Sequence, residues 1–281
     1  MTAYKDLLVA LVSYPDRTPN HVVEQALAIG KVLEARVSAL SFEVEFPPGV
    51  NVLVGKILDL DVVIAAERHK SAEQTRALAK EFEAAAQRLA VAHQQIVETC
   101  ISTEIAEILI DYARLRDMTL VPVGDDSFQR SVAESVIFGS GRPVLVLPAA
   151  PAVPTFALDT VAVAWDFSRP AARALADSLP ILRRAKSVRL VTIVNEKTIQ
   201  TKRSRADLVR HLADHGVDAA FDEVDGSGRA SGEALQGYCE THRVDLLVMG
   251  AYGHSRMRDF LLGGATKSIL ARPPCPTFLS H

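Results

Sequence analysis

The sequence predicts an α/β protein made of two doubly wound, mostly parallel five-stranded sheet domains in tandem, and three observations carry that prediction. Short, near-continuous apolar runs alternate with stretches of helical period, the pattern of a parallel sheet covered on both faces and joined by right-handed crossovers. The second half also repeats the first. "EILIDYARLRDMTLVPVG" (Glu107–Gly124) lies without a gap on "EALQGYCETHRVDLLVMG" (Glu233–Gly250) at an offset of 126, pairing Glu107 with Glu233, Leu109 with Leu235, Tyr112 with Tyr238, Leu120 with Leu246 and Gly124 with Gly250. Finally, a proline-rich stretch from Pro148 to Pro154, "PAAPAVP", reads as a linker near the middle. The domains are therefore expected at residues 1–149 and 150–281, each of a common domain size.

In chain order, "MTAYKDLLVALVSYPD" reads as a first strand. It has one Lys and no small-residue cleavage site, so it is not read as a signal peptide. "PPGVN" reads as a loop, and "RALAKEFEAAAQRLAVAHQQ" as an amphipathic helix whose Leu78, Phe82 and Leu89 face a core. The matched segment supplies a helix and the strand ending at Gly124, and "RPVLVLP" closes the first half as a strand. In the second half, "TVAVAWD" is a strand and Ala171, Leu175, Leu179 and Leu182 mark a helix. "VRLVTIV" follows, then a helix with Leu208, Val209 and Leu212, the strand "VDAAFDEV", a helix around Leu235 and Tyr238, and "VDLLVMG". A helix around Leu261 and Ile269 and the strand "PTFLS" end the chain. The two closing strands, "RPVLVLP" and "PPCPTFLS", offer edges through which the halves pair inside one chain, and a homodimer of whole chains is compatible with the same pattern.

Composition narrows the function. An apolar content of 48%, 23% charged residues and a net charge of −3 suit a soluble globular protein and give no electrostatic reason to expect nucleic acid or an anionic membrane as partner. The apolar stretch "VNVLVGKILDLDVVIAA" is interrupted by Lys56, Asp59 and Asp61, too polar for a membrane span. Cys100, Cys239 and Cys275 are odd in number, with no CxxC and no His at ligand spacing, which suits a reducing cytoplasm and argues against a disulfide framework or a zinc site. Cys275 reads as a small buried apolar residue. No Ser/His/Asp order, HExxH, Walker sequence or paired acids at a strand end forms a catalytic set, so the chain is not expected to be an enzyme.

The halves differ most where one expects a ligand, at the carboxyl end of a strand. Pro143 of the first half matches Pro276 of the second at an offset of 133, so the first half has lost seven residues after Gly124. The second half has "GAYGHSRMRDFLLGGAT" there. Gly250 and Gly253 allow positive-φ turns and close backbone approach to a phosphate, and Gly263 and Gly264 precede "ATKSILA", a helix start whose free N–H groups favour an anion. Ala265 lies in that first turn, Thr266 can add a hydroxyl, and His254, Arg256 and Arg258 lie in the intervening loop. The plainer reading is that the glycines only make tight turns and that the basic residues form a solvated face. The first half dispenses with the loop while keeping the flanking helix and strand, which favours a functional loop.

These residues resemble a tandem universal stress protein. The spacing Gly250, x2, Gly253, x9, Gly263 matches the ATP-binding motif of that family, and "PPCPTFLS" stands at its final strand. The resemblance implies an adenine nucleotide alpha hydrolase-like, Rossmann-like fold and ATP, with or without Mg²⁺, as ligand of the second half. It implies that Asp166 contacts the nucleoside end, that Ile193 flanks the adenine, and that Met249 lies against the nucleotide. Where the family carries Ser or Thr after the third glycine, this chain carries Gly264, which removes a hydroxyl from the phosphate site. Val12 is expected at the place of Asp166 in the first half, so that half should not bind ATP. Asp166 also has a capping reading at the helix near Pro170, with Ser168 the better cap. Three functions compete: a cytoplasmic stress-response protein whose second half binds ATP and acts on a regulatory protein partner, a nucleotide-independent interaction scaffold, and a nucleotidyl-transfer enzyme. The last would need a Ser/Gly-rich loop that "WDFSRP" and "VSYPDR" do not offer.

Overall fold

The computed structural model describes residues 3–14, 16–46, 60–149, 156–195, 204–226, 228–251 and 264–281. The first half has five strands, β1 (Asp6–Leu11), β2 (Arg36–Val44), β3 (His93–Cys100), β4 (Met118–Val123) and β5 (Val144–Pro148). β3, "HQQIVETC", is mostly polar, and its His93–Gln95, expected at the end of the amphipathic helix, instead pair with β2 after that helix stops at Leu89. Helices α1 (Asn20–Leu33), α2 (Leu60–Leu89), α3 (Ile105–Arg114) and α4 (Ser127–Gly139) lie between them. The second half repeats the order with β6 (Thr160–Ala164), α5 (Arg169–Leu182), β7 (Ser187–Val194), α6 (Arg205–Asp214) and β8 (Ala219–Asp225). It closes with α7 (Ser231–His242), β9 (Leu246–Gly250), α8 (Gly264–Ala271) and β10 (Thr277–Ser280). Runs such as "LLVAL" in β1 and all of β4 are buried side chain after side chain, because helices cover both faces of the sheet.

The strands form one ten-stranded sheet in the order β3-β2-β1-β4-β5-β10-β9-β6-β7-β8. Within each half every pairing is parallel. The expected joint between halves is present: β10 pairs antiparallel with β5, with Thr277 opposite Val146, Phe278 opposite Leu145 and Leu279 opposite Val144. Because that joint is antiparallel, the carboxyl ends of the two sets of strands lie at opposite edges of the sheet. One face carries α1, α2, α5 and α6 over Leu7, Val9, Leu120, Phe278 and Val163; the other carries α3, α4, α7 and α8 over Leu8, Val121, Leu247 and Leu279.

The halves also diverge in the helix after their second strand. α2 has 30 residues and its counterpart α6 has 10. The core-facing stripe of α2 begins at Ser71 and Thr75 and runs through Leu78, Phe82 and Ala86. Ser71 Oγ accepts from Val44 N (2.8 Å) and Thr75 Oγ1 donates to Ser13 Oγ (2.8 Å), fastening the helix to the ends of β2 and β1. Its earlier turns leave the core, with Val62 66% and Val63 53% exposed, so the helix faces the core only along its later turns.

The matched tyrosines do the same work in both halves. Tyr112 of α3 donates to Glu98 on the outermost strand β3 (2.5 Å), and Tyr238 of α7 donates to Asp222 on the outermost strand β8. Arg189 of β7 also grips Asp222 through Nε (2.7 Å). Burial, together with the bond to Asp222, pushes the Tyr238 hydroxyl up to about 12. Tyr238→Phe removes a bond to a charged acceptor and is expected to cost about 1.5–3 kcal/mol. Urea denaturation measures it, and a loss below about 0.5 kcal/mol, within the range of ordinary surface changes, refutes the anchoring role.

Candidate functional site

The carboxyl edge of the second half is assembled from the turn after β6, the ends of β7 and β9, and the first turn of α8. β6 leads into Trp165, whose N–H bonds to Val191 O (2.8 Å) and keeps it in the ladder. Asp166 follows, exposed, and its Oδ1 accepts from Ser168 N (2.9 Å). Phe167 adopts φ +60°, the left-handed conformation that reverses the chain, and packs edge-on against Trp165. Ser168 caps α5, its side chain accepting from Ala171 N (3.2 Å), so the cap belongs to Ser168 as expected and Asp166 shapes the turn before it.

Alternation along the strands puts the apolar members of the set on one side. Ala164, Ile193, Met249 and Ala265 all belong to the layer under α7 and α8, with Ile193 half-buried opposite Val224 and Met249 4% exposed opposite Leu279. Ala251, a residue that motif reading passes over, is fully buried in the same layer and bonds through N to Ser280 O (2.8 Å), carrying the ladder one step past Gly250. His281 Nδ1 lies 3.2 Å from Ala251 O.

Gly250 is glycine for a reason other than the expected positive-φ turn. The glycines with positive φ among the described residues are Gly141, Gly216 and Gly228. A Cβ added at Gly250 would stand 2.4 Å from the carbonyl carbon of Pro170 and 2.5 Å from Ala171 N, so the end of β9 runs hard against the first turn of α5. Gly264 is the opposite case: it opens α8, is exposed, and a Cβ there meets nothing within 4 Å. Ala265 is half-buried, and Thr266, expected to offer a hydroxyl, is 2% exposed within the packing of α8. Gly253, His254 and Gly263, with Arg256 and Arg258, lie outside the described residues.

The first half closes the equivalent place with its own atoms. β4 ends at Val123 and α4 begins at Ser127, capped by Asp126 through Phe128 N (2.9 Å), so helix follows strand almost at once. Gln129 then folds back, and its Oε1 accepts from Gly124 N (3.0 Å). The side-chain oxygen takes the backbone donor whose partner position in the second half is Gly250. Register also corrects the expected counterpart of Asp166. Val9 pairs with Leu120 as Val161 pairs with Leu246, so Tyr14 stands where Asp166 does, and Val12 matches Ala164. Tyr14 lies edge-on to Phe46 (5.1 Å) beneath Lys70 of α2 (5.6 Å to the ring), so an aromatic ring occupies the carboxylate's place. Gln129, five residues past the matched glycine, was visible in the sequence; its return to the strand end was not.

Fold and edge together define a tandem doubly wound α/β protein in which the first half closes its carboxyl edge with Gln129, where the second half has the longer segment between β9 and α8. The universal stress protein family model matches residues 158–281. The second half belongs to that family, and at full length the chain has the architecture of a tandem member. A universal stress protein of Archaeoglobus fulgidus DSM 4304 superimposes over 97% of this chain and 95% of its own with a TM-score of 0.70 at 19% identity. A protein of Pseudomonas aeruginosa UCBPP-PA14 assigned to the same family covers 99% of this chain and 93% of its own, with a TM-score of 0.57 and 12% identity. At these identities the superpositions show a shared fold alone. In sequence, Universal stress protein Slr1230 of Synechocystis sp. (strain ATCC 27184 / PCC 6803 / Kazusa) is 43% identical over 44 residues, a stretch spanning 16% of this chain and 15% of that relative. Among the described residues no helix is long and apolar enough to cross a membrane.

Proposed function

We propose that the second half binds an adenine nucleotide, ATP with Mg²⁺, at its carboxyl edge, that the first half is its structural partner, and that the chain serves a cytoplasmic stress response through occupancy rather than turnover. The observation that carries this reading is the contrast between paired glycines. Gln129 fills the donor of Gly124, whereas among the described residues no side chain bonds to Gly250 N, and a Cβ at Gly264, the first residue of α8, meets nothing within 4 Å. The residues fit such a ligand. Exposed Asp166 offers a carboxylate to the nucleoside end, half-buried Ile193 offers an apolar flank, and the bare backbone of Gly264 and Ala265 offers donors at a helix start. No residue is assigned a catalytic role.

The scaffold reading has its own support, since Gly264 brings no hydroxyl and Thr266 is withdrawn from the surface. Thermal unfolding with and without millimolar Mg²⁺–ATP separates the two, because a ligand bound only by the native state must raise its stability. The expected result is a higher Tm for the wild type and about tenfold weaker binding in Asp166→Ala, roughly 1.4 kcal/mol. A wild type without any shift, and without nucleotide released on denaturation, leaves the scaffold.

A further inference from the structure

The last turn of α6 carries a pair of side chains unrelated to the nucleotide edge. His211 and His215 are four residues apart, a ligand spacing that the cysteine-centred reading of the sequence passes over, and therefore on one face of the helix. That face borders the core-facing stripe of Leu208 and Leu212: both leucines are buried, His211 is exposed and His215 half-buried. The two rings stand with centroids 4.7 Å apart and planes at 81°. The hydrogen-bond network among the described residues includes neither imidazole.

We propose that His211 and His215 chelate one divalent transition-metal ion of the zinc or nickel class, with solvent completing its coordination. Imidazole nitrogen suits these ions, whereas Mg²⁺ and Ca²⁺ demand oxygen. An ion placed about 2.0–2.1 Å from one nitrogen of each ring is reached by turning the side chains alone, since the rings already touch. Two further features favour a cation there. The pair sits at the helix C-terminus, the negative end of the helix dipole. The turn is also held in place: His215 forms the C-cap, its N–H bonds to Leu212 O (3.0 Å), and its carbonyl accepts from Arg183 Nε at the end of α5 (2.8 Å). Among the described residues no group of three or more His, Cys, Asp or Glu could hold a metal, so the site offers two protein ligands and binds exchangeably. α6 runs back to the amino edge of the second half, away from Asp166 and Gly264, so metal and nucleotide can be examined separately.

Titration calorimetry of the full chain with Zn²⁺, with Ni²⁺ and with Mg²⁺ as the hard-cation control tests this. The wild type is expected to take up one Zn²⁺ or Ni²⁺ that His211→Ala and His215→Ala each weaken at least tenfold. Losing a ligand costs no less than losing an outer-shell partner of one, about 10–100-fold. Zn²⁺ should also raise the Tm of the wild type and not of either variant, while the metal-free Tm of His211→Ala stays that of the wild type because its ring is exposed. Equal affinity in the wild type and either variant overturns the proposal, as does Mg²⁺ binding at the same residues.

Discussion

Phe278→Ala is expected to cost about 3–5 kcal/mol, the price of removing a fully buried aromatic ring and leaving a cavity. Phe278 is 0% exposed and lies in β10 between Leu145 of β5 and Val248 of β9, on the line where the halves meet. The halves share one sheet across that line and further bonds bridge it: Tyr4 Oη donates to Asp177 O (2.5 Å) and Arg184 to Val32 O (2.7 Å). Destabilisation should therefore shift a single urea transition that reports both halves, with the slope unchanged. Leu145→Ala, on the first-half side of the same contact, should act in the same direction, and the double variant should lose less than the sum of the two because the residues touch. Two separate transitions, with the first half melting as in the wild type, would show that the joint is not cooperative.

The sheet was legible in the sequence because its determinants are local. Apolar runs of strand length, helical periods and the 126-residue repeat need no knowledge of contacts, and they gave both halves and the β5–β10 joint, though not β2, nor the mostly polar edge strand β3, whose start reads as helix. Ser168 was legible for the same reason, since a cap acts within one turn. What escaped depends on side chains meeting across the fold. The partner of Asp166 was misplaced at Val12 because the matched segments begin only at Glu107; the ladder supplies the register that puts Tyr14 there. Gly250 was read through its φ angle, whereas the cause is the backbone of Pro170 and Ala171, eighty residues earlier in the chain. Nothing in "GDDSFQRS" announces that Gln129 will reach the amide of Gly124, because the bond exists only once α4 starts at Ser127. Of the candidate site, Asp166, Ile193, Met249, Gly250, Gly264 and Ala265 are placed at or beside one sheet edge, while Thr266 is absorbed into packing.

Substituting the two described glycines of the motif should give opposite results. Gly250→Ala drives a Cβ to within 2.4–2.5 Å of Pro170 and Ala171 main-chain atoms. No rotamer relieves that contact, so α5 or the end of β9 must move, at about 1–3 kcal/mol. The loss should appear in urea denaturation without any nucleotide, since its origin is packing. Gly264→Ser has space for its side chain and replaces a poor helix former at an exposed position, so nucleotide-free stability should hold or rise by a few tenths of a kcal/mol. The new hydroxyl stands at the start of α8, where it can donate to a phosphate oxygen. A hydrogen bond to a charged group contributes about 1.5–3 kcal/mol, so Mg²⁺–ATP should bind at least tenfold more tightly than to the wild type. Calorimetry on the folded Gly264→Ser protein decides the point. Tighter binding there, with stability intact, assigns the first turn of α8 to the phosphates, and unchanged affinity beside a wild type that does bind ATP moves the phosphates away from it.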